Sequence, residues 1–227
     1  MALERVLAAG IKALNLDCPL DVQARLLDYV RLLDKWNRVY NLTAVRDPVE
    51  MVTRHLLDSL TVLPFLNKEL NNEREGERIL DVGAGAGLPG IPLALVSAQA
   101  FPRRRFVLLD SNSKKTRFMQ QAVTELGLGT VQVVQARTEA FVVEPGQGFD
   151  TVVSRAFASV ADMLAGAGRH CVPGGIILAM KGADPTAELV GLDAGFELQQ
   201  VQRVTVPGLD EDRHVVCLRR VPDGVAH

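Results

Sequence analysis

Residues 79–90 read Ile79-Leu80-Asp81-Val82-Gly83-Ala84-Gly85-Ala86-Gly87-Leu88-Pro89-Gly90. An apolar strand runs into a tight turn that has glycine at every second position. Glycine tolerates positive φ and lets backbone approach a ligand with no Cβ in the way. A helix following such a turn aims its unpaired N–H groups at whatever binds there. Pro89 suits the first turn of that helix, where a missing N–H costs nothing. Gly85-x-Gly87-x-x-Gly90 matches the dinucleotide fingerprint, which alone is a weak signal. Two acidic residues strengthen it. Asp81 stands two residues before the first glycine. Asp110 ends Val107-Leu108-Leu109-Asp110, 23 residues after Gly87 and near the ~20-residue spacing at which a carboxylate reaches ribose hydroxyls.

Outward from this loop, short apolar runs alternate with helical stretches. The runs are Ile79–Val82, Phe106–Asp110, Val131–Gln135, Thr151–Val153 and Ile176–Met180. Between them, Pro89–Gln99, Ser113–Leu126 and Val160–His170 read as helices. Such alternation predicts an α/β fold with a mostly parallel sheet covered by helices. The end differs: Phe196–Val206 and Val215–Val221 flank a short loop and read as an antiparallel hairpin. A parallel sheet closed by such a hairpin is the Rossmann-like plan of class I methyltransferases rather than of a plain dinucleotide-binding dehydrogenase. Apolar-Asp-x-Gly-x-Gly-x-Gly likewise resembles the first motif of that class.

Upstream, residues 1–66 read as helices. Leu26, Val30 and Leu33 recur at helical spacing, opposite Arg25, Asp28, Arg31 and Asp34. A further helix starts at Asp47-Pro48, a capping aspartate before a first-turn proline, and carries Met51, Leu56 and Leu60. Residues 67–78 are polar and read as a linker. The expected organisation is an N-terminal helical segment (1–66) packed on the catalytic domain, a linker (67–78) and a cofactor-binding domain (79–227).

Composition bounds the function. No apolar run approaches the ~18 residues that cross a bilayer, and the N-terminus has no signal-peptide core. Cys18, Cys171 and Cys217 are odd in number and far apart, which suits a reducing cytosol and makes neither a disulfide framework nor a zinc site. No metal is expected, and the chain is read as cytoplasmic, with no membrane partner and working as a monomer. A formal net charge of −2 excludes coating nucleic acid by bulk charge, though not a local basic patch.

Nicotinamide and adenosylmethionine cofactors both carry the ribose that Asp110 would hold, so Asp110 does not separate them. Adenine exocyclic-amine methyltransferases show Asn-Pro-Pro-Tyr or a relative after the fourth strand, and carbon-5 cytosine enzymes place a nucleophilic cysteine there. Here the strand runs into Ser154-Arg155-Ala156-Phe157-Ala158-Ser159. An acceptor with a free lone pair, needing no deprotonation, fits; N7 of guanine is one. No catalytic general base is then expected.

Six stretches together resemble the bacterial ribosomal RNA small-subunit methyltransferase G family, also called glucose-inhibited division protein B. They are Lys35-Trp36-Asn37 with Tyr40-Asn41-Leu42-Thr43; His55-Leu56-Leu57-Asp58-Ser59-Leu60; Asp81 through Pro92; Leu108-Leu109-Asp110-Ser111; Ser154-Arg155-Ala156-Phe157; and Met180-Lys181-Gly182. The resemblance implies methylation of N7 of one guanine in 16S ribosomal RNA with S-adenosylmethionine, on free RNA or a small-subunit particle. It implies cofactor contacts from Gly83 and Leu88, beside Asp81, Gly85, Gly87 and Asp110. It puts Thr138 and Glu139 beside the adenine, through backbone. It has Arg155 close the site over the methionine end or the RNA.

Other residues carry weaker readings. Lys181 is an RNA-binding candidate with Arg155, because strand C-termini line the crevice. Lys114 and Lys115, with Arg117 at the start of the helix after Asp110, are RNA-binding candidates as a basic run that can contact phosphate, as is Arg103-Arg104-Arg105. His55 and Asp58 share a helix face, with packing or capping the simpler role, and Trp36 and Tyr40 read as core. Two other function classes fit parts of the sequence: an NAD-dependent oxidoreductase, which lacks an evident hydride-transfer acid, and a non-catalytic RNA-binding protein on an old fold.

Overall fold

A computed structural model describes residues 2–69, 76–144, 146–155 and 157–222, without the side chains of 67–69. Its centre is a seven-stranded sheet in the order β3-β2-β1-β4-β5-β7-β6. Strands β1 (Arg78–Val82), β2 (Arg105–Asp110), β3 (Val131–Gln135), β4 (Phe149–Ser154) and β5 (Cys171–Lys181) run parallel. β6 (Phe196–Val204) and β7 (Arg213–Arg220) form the hairpin, with β7 antiparallel to β5. The class I methyltransferase arrangement read from the sequence is therefore the observed fold.

Both faces of the sheet are covered, which is why its inner strands read as unbroken apolar runs. Successive residues of each strand point to opposite faces. Ile79, Phe106, Leu108, Val153 and Leu178 pack on one side with α6 (Gly90–Ser97), α7 (Ser113–Glu125) and the N-terminal helices. Leu80, Val82, Val107, Leu109 and Ile177 pack on the other with Val160, Met163 and Leu164 of α8 (Val160–Ala167). Caps set the helix starts: the Asn112 side chain accepts from the backbone N–H of Lys114 and Lys115, and Ser159 accepts from that of Asp162.

The N-terminal part comprises α1 (Ala2–Ala13), α2 (Leu20–Tyr40), α3 (Pro48–Met51), α4 (Asp58–Leu60) and α5 (Leu63–Glu69). Asp47 caps α3 through the Val49 N–H, with Pro48 in the first turn, as its sequence demands. Between α3 and α4 the chain makes a π-helical stretch, Val52–Leu57. The 3.6-residue period does not show such a stretch, and π turns recur at functional sites. Tyr29 of α2 is fully buried and donates its hydroxyl to the Ala86 carbonyl at 2.8 Å, fastening the helical layer to the glycine loop.

Helix α5 continues through Glu69, past the boundary placed after residue 66. Half of the linker assigned to 67–78, residues 70–75, lies outside the described residues, as do Met1, Pro145, Ala156 and the last five residues of the 79–227 domain. Trp36 packs against Phe118 with ring centroids 5.7 Å apart, but Tyr40 is not core. It is 43% exposed, in the last turn of α2 before the left-handed Asn41, with Trp36 at 5.1 Å as its ring neighbour among the described residues.

Candidate cofactor site and cationic cavity

The glycine loop leaves β1 and crosses the C-terminal end of β2. The N–H groups of Gly83 and Ala84 donate to the Leu109 carbonyl at 2.8 and 3.0 Å. Gly83, Gly85 and Gly87 all have positive φ, at 69°, 61° and 85°. Their surroundings differ. A Cβ on Gly87 would lie 2.4 Å from Ile91 Cδ1, so that glycine serves packing. A Cβ on Gly85 would meet nothing closer than 3.9 Å, so its missing side chain leaves room for something other than protein. At Gly90 a Cβ would come within 2.3 Å of Leu108 Cδ2 and 2.8 Å of Asp81 Oδ2. The third glycine of the fingerprint thus lets helix α6 sit on the sheet.

The two acidic residues hold this loop. Asp81 is completely buried, and its Oδ2 accepts from the Gly90 N–H at 2.8 Å. Burial pushes its carboxyl up to about 7, against the opposing pull of the Gly90 N–H and the Arg155 charge. Asp81 thereby anchors the start of α6 rather than facing the open side of the loop. Asp110 does face the loop: its Oδ2 accepts from the Gly85 N–H and its Oδ1 from the Asn112 N–H, both at 2.8 Å. A carboxylate offers about four acceptor positions, so those two bonds leave capacity for ribose hydroxyls. The Lys115 ammonium lies 3.9 Å from the place a Gly85 Cβ would occupy, which brings this residue to the glycine loop.

The remaining expected contacts fall into two groups. Leu88 buries its side chain in the core and donates its N–H to the Ala84 carbonyl at 2.8 Å. Thr138 and Glu139 stand in the 3-10 turn after β3, and Arg169 holds both their carbonyls, at 3.0 and 2.6 Å.

Beyond β4 lies a cavity of about 360 Å³, lined by Arg54, His55, Asp58, Arg155, Lys181 and Arg213 among others. Asp58, only 2% exposed, binds two guanidinium groups: Arg155 Nη1 at 2.9 Å through Oδ2, and Arg213 Nε at 3.1 Å through Oδ1. Arg155 also donates to the Arg54 carbonyl at 3.2 Å. Glu211 ties Arg54 and Arg213 together at 2.8 and 2.9 Å. His55 sits 2.9 Å from the Thr43 hydroxyl; burial and the nearby Arg155 charge pull its pKa down to about 4, so it is neutral near pH 7. His55 and Asp58 are thus wall residues of one cavity, joined to it by the π-helical turn.

Lys181 reaches this cavity, but its ammonium is engaged by Glu188 at 3.0 Å and by the Ala158 carbonyl. The basic run before β2 splits. Arg103 and Arg105 are exposed, whereas Arg104 is buried, pairs with Glu77 at 2.8 Å and lies 3.9 Å over the Phe101 ring, a structural role. Lys114 is exposed at the start of α7. Sequence reasoning missed Arg213, Arg54 and Glu211. Glu211 and Arg213 belong to a run of charge around the hairpin turn, whereas Arg54 stands in the π-helical stretch, which no sequence period marks.

A family described as rRNA small subunit methyltransferase G matches residues 22–216. Ribosomal RNA small subunit methyltransferase G of Nitrosococcus oceani is 47% identical over 216 residues, 95% of this chain and 94% of that one. The protein of the same name from Methylococcus capsulatus is 49% identical over 94% of this chain and 97% of its own. Among solved structures, a SAM-dependent methyltransferase from Aquifex aeolicus has a TM-score of 0.55 at 20% identity, covering 77% of this chain and 99% of that one. TrmN from Thermus thermophilus has a TM-score of 0.54 at 21% identity, covering 75% and 53%. These two share the fold. By the extent of the family match and the near-full-length identity to its members, the chain belongs to the rRNA small subunit methyltransferase G family.

Proposed function

We infer that this chain transfers a methyl group from S-adenosylmethionine to N7 of a guanine in 16S ribosomal RNA. The observation that carries this reading is the near-full-length similarity to chains named ribosomal RNA small subunit methyltransferase G, in a molecule whose glycine loop and Asp110 form an open cradle. The residues present fit the cofactor: Gly85 gives backbone room, Asp110 has acceptor capacity, and Lys115 brings a cation to the open side. S-adenosylmethionine, when bound, supplies a methyl group activated by a positively charged sulfur.

The chain's own residues have binding and orientation to perform. Holding the acceptor in line with the methyl group converts an encounter into a near-unimolecular step. Guanine N7 attacks with its lone pair and loses no proton, so no side chain need act as a base. The cationic cavity beside β4 supports the RNA side of the site, with Arg155 between it and the glycine loop. The same reading has the chain act in the cytoplasm as a monomer, on free 16S RNA or an assembled particle, with the N-terminal helices packed on the catalytic domain.

The test is incubation with labelled S-adenosylmethionine and 16S RNA or small-subunit particles, followed by mapping of the modified base. Label on a single guanine, sensitive to N7-directed cleavage, is the expected result. Transfer to an exocyclic amine or a ring carbon would overturn the acceptor assignment, and tight NAD binding without S-adenosylmethionine binding would overturn the cofactor.

A further inference from the structure

Asp58 is the acidic wall residue of a cavity lined by Arg54, Arg155, Lys181 and Arg213, where Glu188 pairs with Lys181 and Glu211 with Arg54 and Arg213. It is also the most deeply buried member of its cluster: its side chain is 3% exposed, against 28% for Arg155 and 21% for Arg213. A buried carboxylate is costly unless paired, and this one is paired twice, with one oxygen on each arginine. The arginines come from distant elements, Arg155 from the end of β4 and Arg213 from the start of β7, while Asp58 opens α4 after the π-helical turn. Asp58 and Glu211 carry two negative charges against three on Arg54, Arg155 and Arg213, so the group keeps net positive charge. Two guanidiniums fixed side by side match the oxygens of a phosphate, for which arginine's planar fork is suited.

We propose that Asp58 is a positioning residue, whose carboxylate sets Arg155 and Arg213 side by side to hold an RNA backbone phosphate next to the acceptor nucleotide. This rests on the reading that the chain methylates ribosomal RNA. It assigns Arg155 to the RNA side of the site and brings in Arg213.

Asp58→Asn separates positioning from simple charge, because the two predict opposite signs. Removal of a negative charge from a cationic cavity would, by Coulomb attraction alone, tighten binding of a polyanion. Loss of positioning weakens it. The expected result is an RNA dissociation constant raised about tenfold, the scale of one charge-assisted hydrogen bond. S-adenosylmethionine affinity by calorimetry should stay within about twofold of wild type, because Asp58 does not touch the glycine loop. Transcribed 16S RNA serves as the probe in filter binding, with single-turnover methylation alongside.

Arg213→Lys provides a second route if Asp58→Asn does not fold. It keeps the charge and loses the Nε contact, and RNA affinity should again fall with cofactor affinity preserved. The double variant should be no weaker than the poorer single one, since both break the same contact. RNA affinity equal to or tighter than wild type in Asp58→Asn overturns the proposal; so does wild-type affinity in Arg213→Lys where that variant alone is soluble. A wild-type chain that binds no 16S RNA overturns both this inference and the function it rests on, whereas an active wild type with unaffected variants overturns the role of Asp58 alone.

Discussion

Asp81→Asn tests the account of the glycine loop through its pH dependence. Asp81 is fully buried, and burial raises its carboxyl from 3.8 to about 7 in the folded chain. Between those values the folded state keeps a proton that the unfolded chain releases. Stability therefore falls as pH rises through this window and levels off above about 7. At about 1.36 kcal/mol per unit, a three-unit shift amounts to roughly 4 kcal/mol. Asparagine keeps an oxygen to accept from the Gly90 N–H, now 2.8 Å from Oδ2, and carries no charge. His55 works in the opposite direction. Its pKa is lowered from 6.5 to about 4, so its contribution is present above 6.5 and lost as pH falls toward 4. The two slopes oppose each other between about pH 4 and 6.5. The difference between variant and wild type cancels His55 and isolates Asp81. In urea unfolding at a series of pH values, Asp81→Asn should gain on wild type by up to roughly 4 kcal/mol between about pH 4 and pH 8. A stability difference that stays constant over that range, or shrinks with rising pH, would refute the assignment of Asp81 as a buried, proton-holding anchor.

The glycines should separate by role. Gly90→Ala puts a Cβ 2.3 Å from Leu108 Cδ2, so thermal unfolding should show a loss of about 1–3 kcal/mol from overpacking. Gly85→Val has open space but a φ of 61°; it should leave a folded protein whose calorimetric S-adenosylmethionine binding is lost, and unchanged affinity would remove Gly85 from the site. Asp110→Ala loses the acceptor for the Gly85 and Asn112 N–H groups as well as for a ribose, so cofactor affinity should fall at least about tenfold, each such bond being worth roughly 1.5–3 kcal/mol.

The sheet was legible because its chemistry is local. Strands covered on both faces must be largely apolar, and β1, β2 and β4 are marked by such runs with helical stretches between, while the edge strand β3 mixes valine with glutamine. Where local signals conflicted, the boundaries moved. β5 begins at Cys171, five residues before the apolar run at Ile176, with Pro173-Gly174-Gly175 interrupting the apolar pattern between them. In the fold that segment is strand, with a register shift against β4 and the Gly174 carbonyl held by Arg219 at 3.0 Å. The helix expected over Val160–His170 ends at Ala167 and tightens into a 3-10 turn, Gly168–His170, where the Phe196 ring would meet a Cβ on Gly168 at 2.6 Å.

The site divides in the same way. The glycine loop and Asp110 are joined by one βαβ unit whose spacing the backbone dictates, and they could be found by counting residues. The cavity cannot be found so. Asp58 meets Arg155 across 97 residues and Arg213 across 155, and no periodicity spans such distances. What a strand end does reveal is that its side chains reach the crevice; this holds for both Arg155 and Lys181. It does not reveal which cation arrives already matched. Lys181 spends its charge on Glu188 and the Ala158 carbonyl, fastening the segment after β4, whereas Arg155 shares one carboxylate with a second arginine. Two residues that looked equivalent from their strands therefore differ in the charge they leave for a ligand. That difference is set by partners supplied by the short 3-10 turn at Thr186–Leu189 and by the turn into α4.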